Sequence, residues 1–132
     1  MRKSAFLQEE GDTPKNRIWS FLIVHSEYDY SMRDIARYSN VGYTTLKLLW
    51  KELKEKNIVM QTRIVGKAKM YKLNLENPVV NKFIDYYWAV VDAVVRRENN
   101  IKEQAGEPIQ HMKLQAPPSI EPRMMQFSAK SR

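Results

Sequence analysis

Hydrophobic residues recur at helical spacing from Thr13 to His25 and predict a first helix there. Thr13 is a common N-cap residue, and Pro14 suits the first helical position, where its missing N–H is not needed. The core-facing stripe consists of Ile18, Phe21, Leu22 and His25. Trp19 and Ile23 widen the apolar face, so this helix needs a second contact, either another helix of the chain or a partner subunit.

Two further helices with a tight turn between them are predicted next. Ser31 caps the first of these, which ends near Tyr38. The turn at 39–42 contains Asn40 and Gly42, two residue types that tolerate a positive φ. The second helix starts around Tyr43 and ends near Lys56-Asn57. On a helical wheel its core side consists of Leu46, Leu49, Trp50 and Leu53. Its opposite side consists of Thr44, Lys47, Leu48 and Lys51.

Residues 58–75 predict a β-hairpin. The run from Ile58 to Val65 is rich in β-branched residues, and Gly66 with Lys67-Ala68 makes a tight turn. The second run alternates, with Tyr71, Leu73 and Leu75 on one face and Met70, Lys72 and Asn74 on the other. Upstream, residues 28–30 are either a very short strand or an extended link.

A long helix is predicted from Asn77-Pro78, which repeats the earlier start signal, to about Glu98. Its inner stripe would be Val80, Phe83 or Ile84, Tyr87, Val91 and Val94. A second apolar set remains, consisting of Val79, Tyr86, Trp88, Val90 and Ala93. This second face indicates either a helix enclosed within one subunit or, as we expect, a homodimer interface. The residues expected at that interface are Trp19, Tyr86, Tyr87, Val90 and Val94.

The composition excludes several classes of function. The chain has no Cys and only two His, far apart at His25 and His111, so we expect no metal, no cofactor and no thiolate chemistry. No Gly-rich phosphate loop or nucleophile paired with a base is present, so we do not expect an enzyme. No apolar run of roughly 18 residues and no signal-peptide core are found, which predicts a cytoplasmic or nucleoid-associated protein without membrane partners.

Charge is concentrated in one third of the chain. Residues 31–75 contain ten basic and three acidic side chains, so this segment alone accounts for the +7 net charge of the whole protein. Such asymmetry indicates a polyanionic partner. Some of these lysines neighbour Glu52 and Glu55, so Lys54 and Lys56 are also compatible with ordinary surface ion pairs.

A short helix, a tight turn and a second helix with an outer basic face fit the major groove of double-stranded DNA. The cationic hairpin tip would then lie on the adjacent backbone, where it supplies affinity without sequence information. Leu48 does not fit this scheme, since it is either a tolerated exposed residue or a contact to a thymine methyl or a partner. The candidate DNA-binding residues are Arg33, Tyr43, Thr44, Thr45, Lys47, Lys51, Arg63, Lys67 and Lys69.

Residues 14–98 resemble the winged helix-turn-helix regulators, particularly small archaeal ones and the MarR- and ArsR-type repressors. The matching segments are Ser31 to Ala36, Val41 to Leu46, Leu53 to Val59 and Gly66 to Asn74, followed by Asn77 to Val80. The resemblance implies an α+β fold with a three-helix core and a β-hairpin wing around 63–70. It also implies a recognition helix at 43–56 and, commonly, dimerisation through terminal helices. Many members carry a polar or basic residue where this chain has Leu48.

The expected organisation has four parts. Residues 1–12 are a flexible N-terminus, 13–76 the DNA-binding domain, 77–98 the dimerisation helix and 99–132 a flexible tail. The tail contains four of the six prolines and an apolar island at 124–127, which is either a docking peptide or an ordinary piece of tail.

We therefore expect a sequence-specific, homodimeric transcriptional regulator. The alternatives are a winged-helix protein-interaction subunit of a transcription or replication assembly and a nonspecific, chromatin-like DNA-binding protein.

Overall fold

The computed structural model describes residues 4–104, which form five helices and three strands. In chain order they are α1 (Ala5–Glu10), α2 (Pro14–Val24), β1 (Tyr30–Ser31), α3 (Met32–Ser39), α4 (Tyr43–Glu55), β2 (Val59–Val65), β3 (Ala68–Leu73) and α5 (Pro78–Gln104). A compact unit extends to Val95, and the described residues after it are the last turns of α5. Within the described residues, none of the helices combines the length and the apolar character that crossing a membrane requires.

The predicted helix starts are confirmed by their capping hydrogen bonds. The Thr13 hydroxyl accepts from the Asn16 amide at 3.1 Å, and the Ser31 hydroxyl accepts from the Asp34 amide at 3.2 Å. Between α3 and α4, Asn40 takes the left-handed conformation with φ 59°, whereas Gly42 has an ordinary φ of −61°. The turn therefore uses the positive φ of only one of its two permissive residues.

The three strands form one antiparallel sheet in the order β1-β3-β2. Residues 30–31 are thus a short strand, since Tyr30 pairs with Tyr71 of β3. The β2–β3 turn has Gly66 at φ 62°, a conformation that a side chain would strain. A register shift between Gln61 and Arg63 places a bulge in β2 at Thr62. Leu73 and Tyr71 are buried, but Leu75 lies beyond the strand and is exposed.

The expectation of a flexible segment at residues 1–12 is wrong for residues 5–10, which form α1. Phe6 from this helix is only 1% exposed and belongs to the core. Its ring lies 4.7 Å from that of Tyr87 and 5.9 Å from that of Phe83, measured between ring centroids. Six residues are too few for a helical period to be detected in the sequence. A helix this short is marginal in water by itself, and the packing of Phe6 in the core stabilises it.

Four of the five expected interface residues are instead buried within the chain itself: Trp19, Tyr87, Val90 and Val94. The expectation that they face a partner subunit is therefore wrong. The Trp19 ring packs on Phe83 at 4.1 Å between centroids, and the hydroxyls of Ser20 and Tyr87 hydrogen-bond at 2.9 Å. The wide apolar face of α2 is thus covered by α5 of the same chain. Tyr86, the fifth residue, remains 46% exposed.

The long helix starts as predicted, with the Asn77 side chain accepting from the Val79 amide at 2.9 Å. It continues to Gln104, so the expectation of a flexible tail is wrong for residues 99–104. The rest of the expected tail, including the apolar island at 124–127, lies outside the described residues.

Candidate nucleic-acid interface

Helix α4 presents one face to the core and the opposite face to solvent. Leu46, Trp50 and Leu53 are buried, as the helical wheel predicted. The exposed face contains the predicted reading residues Thr44, Thr45, Lys47 and Lys51. Gly42, the N-cap, supplies no side-chain hydrogen bond, so no side chain of the cap competes for the first amides of α4. The outer face of α4 is therefore accessible along its N-terminal half.

A cationic stack surrounds Tyr43 at the start of α4. The guanidinium carbon of Arg33 lies 4.4 Å from the centre of the Tyr43 ring, and the ammonium nitrogen of Lys47 lies 5.3 Å from it. Both distances are within the range of cation–π attraction. Arg33 comes from α3, so this stack joins the two helices of the helix-turn-helix through three of the predicted site residues.

A groove of about 410 Å³ connects the helix-turn-helix to the β2–β3 hairpin. Arg33 and Tyr43 line its helical side, and Lys67 and Lys69 line the hairpin side. Met32 and Tyr71 contribute apolar surface to the same groove. The fold therefore brings together four predicted residues that lie up to 36 positions apart in the sequence.

Arg63, another predicted DNA-binding residue of the hairpin, forms an ion pair within the chain. Its guanidinium donates to both carboxylate oxygens of Asp29, at 2.9 Å and 3.1 Å. The bulge residue Thr62 donates its hydroxyl to the same carboxylate at 2.5 Å. The hydrogen bond from Arg63, followed by that from Thr62, lowers the pKa of Asp29 to about 2. Arg63 is therefore held within the chain, and Lys67 and Lys69 are the cations near the hairpin turn that have no ion pair among the described residues.

Some of the other basic residues in the segment 31–75 also form ion pairs, and others do not. Arg37 pairs with Asp34 at 2.7 Å, and Lys56 pairs with Glu52 at 2.8 Å. Glu52 also accepts from Lys15 at 3.2 Å, and hydrogen bonds from Lys56 and Lys15 lower its pKa. The ion-pair interpretation of Lys56 is thus correct. In the part of the chain that the structure describes, no ion pair engages Arg33, Lys47, Lys51, Lys67 or Lys69.

Two residues that contribute to the site were missed from the sequence. Asp29 and Thr62 anchor the base of the hairpin, but they are 33 positions apart and neither belongs to a motif. Their only sequence signal was an acidic residue between two tyrosines beside a short strand. Among the residues from 4 to 104, no group of three or more acidic or His side chains could hold a metal ion.

Leu48 points away from the core, as the wheel predicted, and its side chain is 74% exposed. It lies near the middle of α4, directly after Lys47. Residues 4–104 leave Leu48 largely uncovered, so the described part of the fold gives no reason for a large apolar residue here.

No protein-family model matches the sequence, and no curated protein matches it either. Solved structures do match the fold. MepR, a transcription regulator of the Staphylococcus aureus multidrug efflux pump MepA, is 17% identical with a TM-score of 0.54, covering 71% of this chain and 73% of that one. The zinc-responsive MarR family member ZitR of Lactococcus lactis is 11% identical with a TM-score of 0.54, covering 88% and 75%.

A MarR family transcriptional regulator from Silicibacter pomeroyi is 12% identical with a TM-score of 0.53, covering 96% of this chain and 77% of that one. The likeness to these three proteins concerns the fold. Together with the observed elements, it confirms the predicted α+β winged helix-turn-helix, in which α3 and α4 are the two helices of the helix-turn-helix and the β2–β3 hairpin is the wing.

Proposed function

We propose that this protein is a sequence-specific, double-stranded DNA-binding transcriptional regulator that acts as a homodimer at the nucleoid in the cytoplasm. One observation carries the proposal: seven of the ten cations in residues 31–75 have no ion pair among the described residues, and they lie on α3, α4 and the wing. Paired cations cannot release counterions on binding DNA to the same extent, whereas unpaired ones can. These seven are Arg33, Lys47, Lys51, Lys54, Lys67, Lys69 and Lys72.

In the proposed complex α4 enters the major groove, which is wide enough for one helix. Thr44, Thr45 and Lys47 then face the base edges, where hydroxyl and ammonium groups can distinguish base pairs. Lys67 and Lys69 contact phosphates on the adjacent backbone. Arg33, held in place by its stack on Tyr43, contacts a further phosphate between α4 and the wing. This division of roles gives specificity to α4 and sequence-independent affinity to the wing.

The homodimer interface that we propose keeps Val79 and Tyr86 from the second apolar face of α5 and leaves out the four expected residues that are buried within the chain. An apolar groove of about 420 Å³ is lined by Pro78, Val79, Lys82, Phe83 and Tyr86. Val79 is 62% exposed although it is a large aliphatic residue. A two-fold interface uses the same patch on both copies. Two recognition helices roughly 34 Å apart would then read a palindromic site.

Binding-site selection tests the proposed function. The protein is incubated with random duplexes at physiological salt, and bound duplexes are recovered and sequenced. We expect enrichment of a motif with two-fold symmetry. Binding without enrichment would indicate the chromatin-like alternative, and absence of binding would favour the protein-interaction alternative.

The dimer is tested with Val79→Glu combined with Lys82→Glu. Both side chains are exposed, so the fold should persist, while two copies would bring like charges together in the groove. We expect the wild type to be a dimer and the variant a monomer in light scattering. The matched control is Ile101→Glu, another exposed aliphatic position on α5. A variant that remains dimeric would refute this interface.

A further inference from the structure

Leu48 has the most exposed side chain among the large hydrophobic residues of the described chain, at 74%. Covering such a side chain with an apolar surface, and so removing it from water, is energetically favourable. Single exposed hydrophobic residues are common on protein surfaces, so exposure alone assigns no role. The position of Leu48 is the informative feature, because it lies in the middle of the face that α4 offers to DNA.

The neighbours of Leu48 on that face are polar or cationic. Helical geometry places Thr44 one turn before it and Lys51 about one turn after it. Lys47 and Lys51 have no ion-pair partner among the described residues. A surface that covers Leu48 must therefore be strongly anionic and carry an apolar group at its centre. A protein surface with an apolar centre seldom combines these two properties, since interface cores are depleted of charge.

The major groove of DNA has both properties. Phosphates line its edges, and the thymine 5-methyl is the apolar group that its floor presents. We infer that Leu48 is a specificity-determining residue that contacts a thymine methyl in each half-site. The inference rests on the proposed function and adds to it a defined chemical preference. Thr44 and Lys47 then read hydrogen-bonding groups, while Leu48 reads the position of a methyl group.

The expected effect follows from the size of the contact. Burying one methyl group against an aliphatic side chain contributes about 0.8 kcal/mol, which corresponds to about a fourfold change in affinity for each contacted methyl. Leu48→Ala removes the aliphatic partner without disturbing the core, because the side chain does not pack inside the protein. The same fourfold factor should therefore disappear in this variant.

The test uses the duplex that the wild-type protein enriches in the selection experiment and a second duplex in which every thymine is replaced by deoxyuridine. Uracil pairs with adenine as thymine does but lacks the methyl group. Affinities of the wild type and of Leu48→Ala are measured for both duplexes by fluorescence anisotropy. For each protein, the affinity for the thymine duplex is divided by the affinity for the deoxyuridine duplex. Dividing the wild-type ratio by the Leu48→Ala ratio isolates the contact between Leu48 and the methyl group and cancels any change in duplex flexibility. Ile101→Ala is the matched control, and thermal melting by circular dichroism checks that each variant is folded.

We expect the wild type and Ile101→Ala to bind the thymine duplex about fourfold more tightly per contacted methyl, and Leu48→Ala to bind both duplexes alike. If the wild type does not distinguish the duplexes, Leu48 reads no methyl and the inference is wrong. If Leu48→Ala keeps the wild-type ratio, another side chain reads the methyl and the inference is also wrong. In both cases the proposed DNA-binding function stands. If the selection enriches no duplex, the proposed function fails, and the inference fails with it.

Discussion

Replacing the two wing lysines by glutamine should make DNA binding less dependent on salt. Lys67 and Lys69 line the groove between the wing and the helix-turn-helix, and neither has an ion pair among the described residues. Each neutralised phosphate contributes about 0.9 to the slope of log affinity against log salt concentration. In the proposed homodimer each substitution removes a cation from both wings. The slope should therefore become shallower by about 0.9 per protomer, or about 1.8 per dimer, in each single variant, and by about 1.8 per protomer, or about 3.6 per dimer, in the double variant.

The same relation gives the loss of affinity. Relative to 1 M salt, where counterion release contributes nothing, each contact contributes about 5.5-fold at 0.15 M, so the double variant should bind about 30-fold more weakly per protomer, or about 900-fold more weakly as a dimer. Because phosphate contacts carry no sequence information, a mixed-sequence duplex of fixed length suffices as the probe. Fluorescence anisotropy titrations at several salt concentrations between 0.05 and 0.3 M would measure the slope directly.

Arg63→Gln provides the discriminating comparison. Arg63 belongs to the same wing and also carries one positive charge, but Asp29 holds its guanidinium by two hydrogen bonds. We expect its removal to change the slope by much less than about 0.9 per protomer, the value for one free cation. Lys102→Gln, which removes one charge from the last turn of α5, controls for net charge and should leave the slope unchanged. If Arg63→Gln flattens the slope as much as Lys67→Gln, the distinction between paired and free cations is wrong.

Two predictions concern stability. Phe6→Ala should lower the free energy of unfolding by about 3–5 kcal/mol, because the ring is buried against Phe83 and Tyr87; in urea denaturation, a change as small as that of the exposed control Gln8→Ala would mean that α1 is not part of the core. Asp29 should stabilise the wing in its ionised form, since its pKa of about 2 lies below the ordinary 3.8. This contribution is fully present above pH 4 to 5 and lost as pH falls towards 2, so the stability difference between wild type and Asp29→Asn should shrink over that range. A difference that stays constant from pH 6 to pH 2 would contradict this role of the carboxylate.

The helix-turn-helix and the wing were predictable because each is specified by neighbouring residues. Hydroxyl groups at Thr13 and Ser31 mark helix starts wherever an amide three residues later needs an acceptor. On α4 the spacing of Leu46, Trp50 and Leu53 fixes the buried face, and therefore also the exposed one. Gly66 marks the hairpin turn because glycine adopts a positive φ more readily than other residues do. The exposure of Leu48 follows from the same periodicity.

The dimer interface residues were predicted wrongly because α5 has two apolar faces of similar strength. Periodicity indicates that such a helix needs two contacts but not which one the chain itself supplies. Helix α1 determines which face of α5 the chain itself covers, since Phe6 packs beside Tyr87 and leaves Val79 and Tyr86 at the surface. The Tyr86 hydroxyl donates to Glu10 of α1, and this bond raises the pKa of the tyrosine. A six-residue helix with one fully buried residue has too weak a pattern to be recognised alone.

The sequence by itself determined which segments are helical, where the hairpin turns and which third of the chain carries the positive charge, because these properties depend on residues a few positions apart. Only the tertiary structure decided which of those charges are free of ion pairs and therefore available to bind an anionic partner. Arg63 is neutralised by a carboxylate 34 positions away, whereas Arg33, Lys67 and Lys69 meet around one groove without an ion-pair partner among the described residues. Pairing of charges depends on distances between elements, and local periodicity contains no information about those distances.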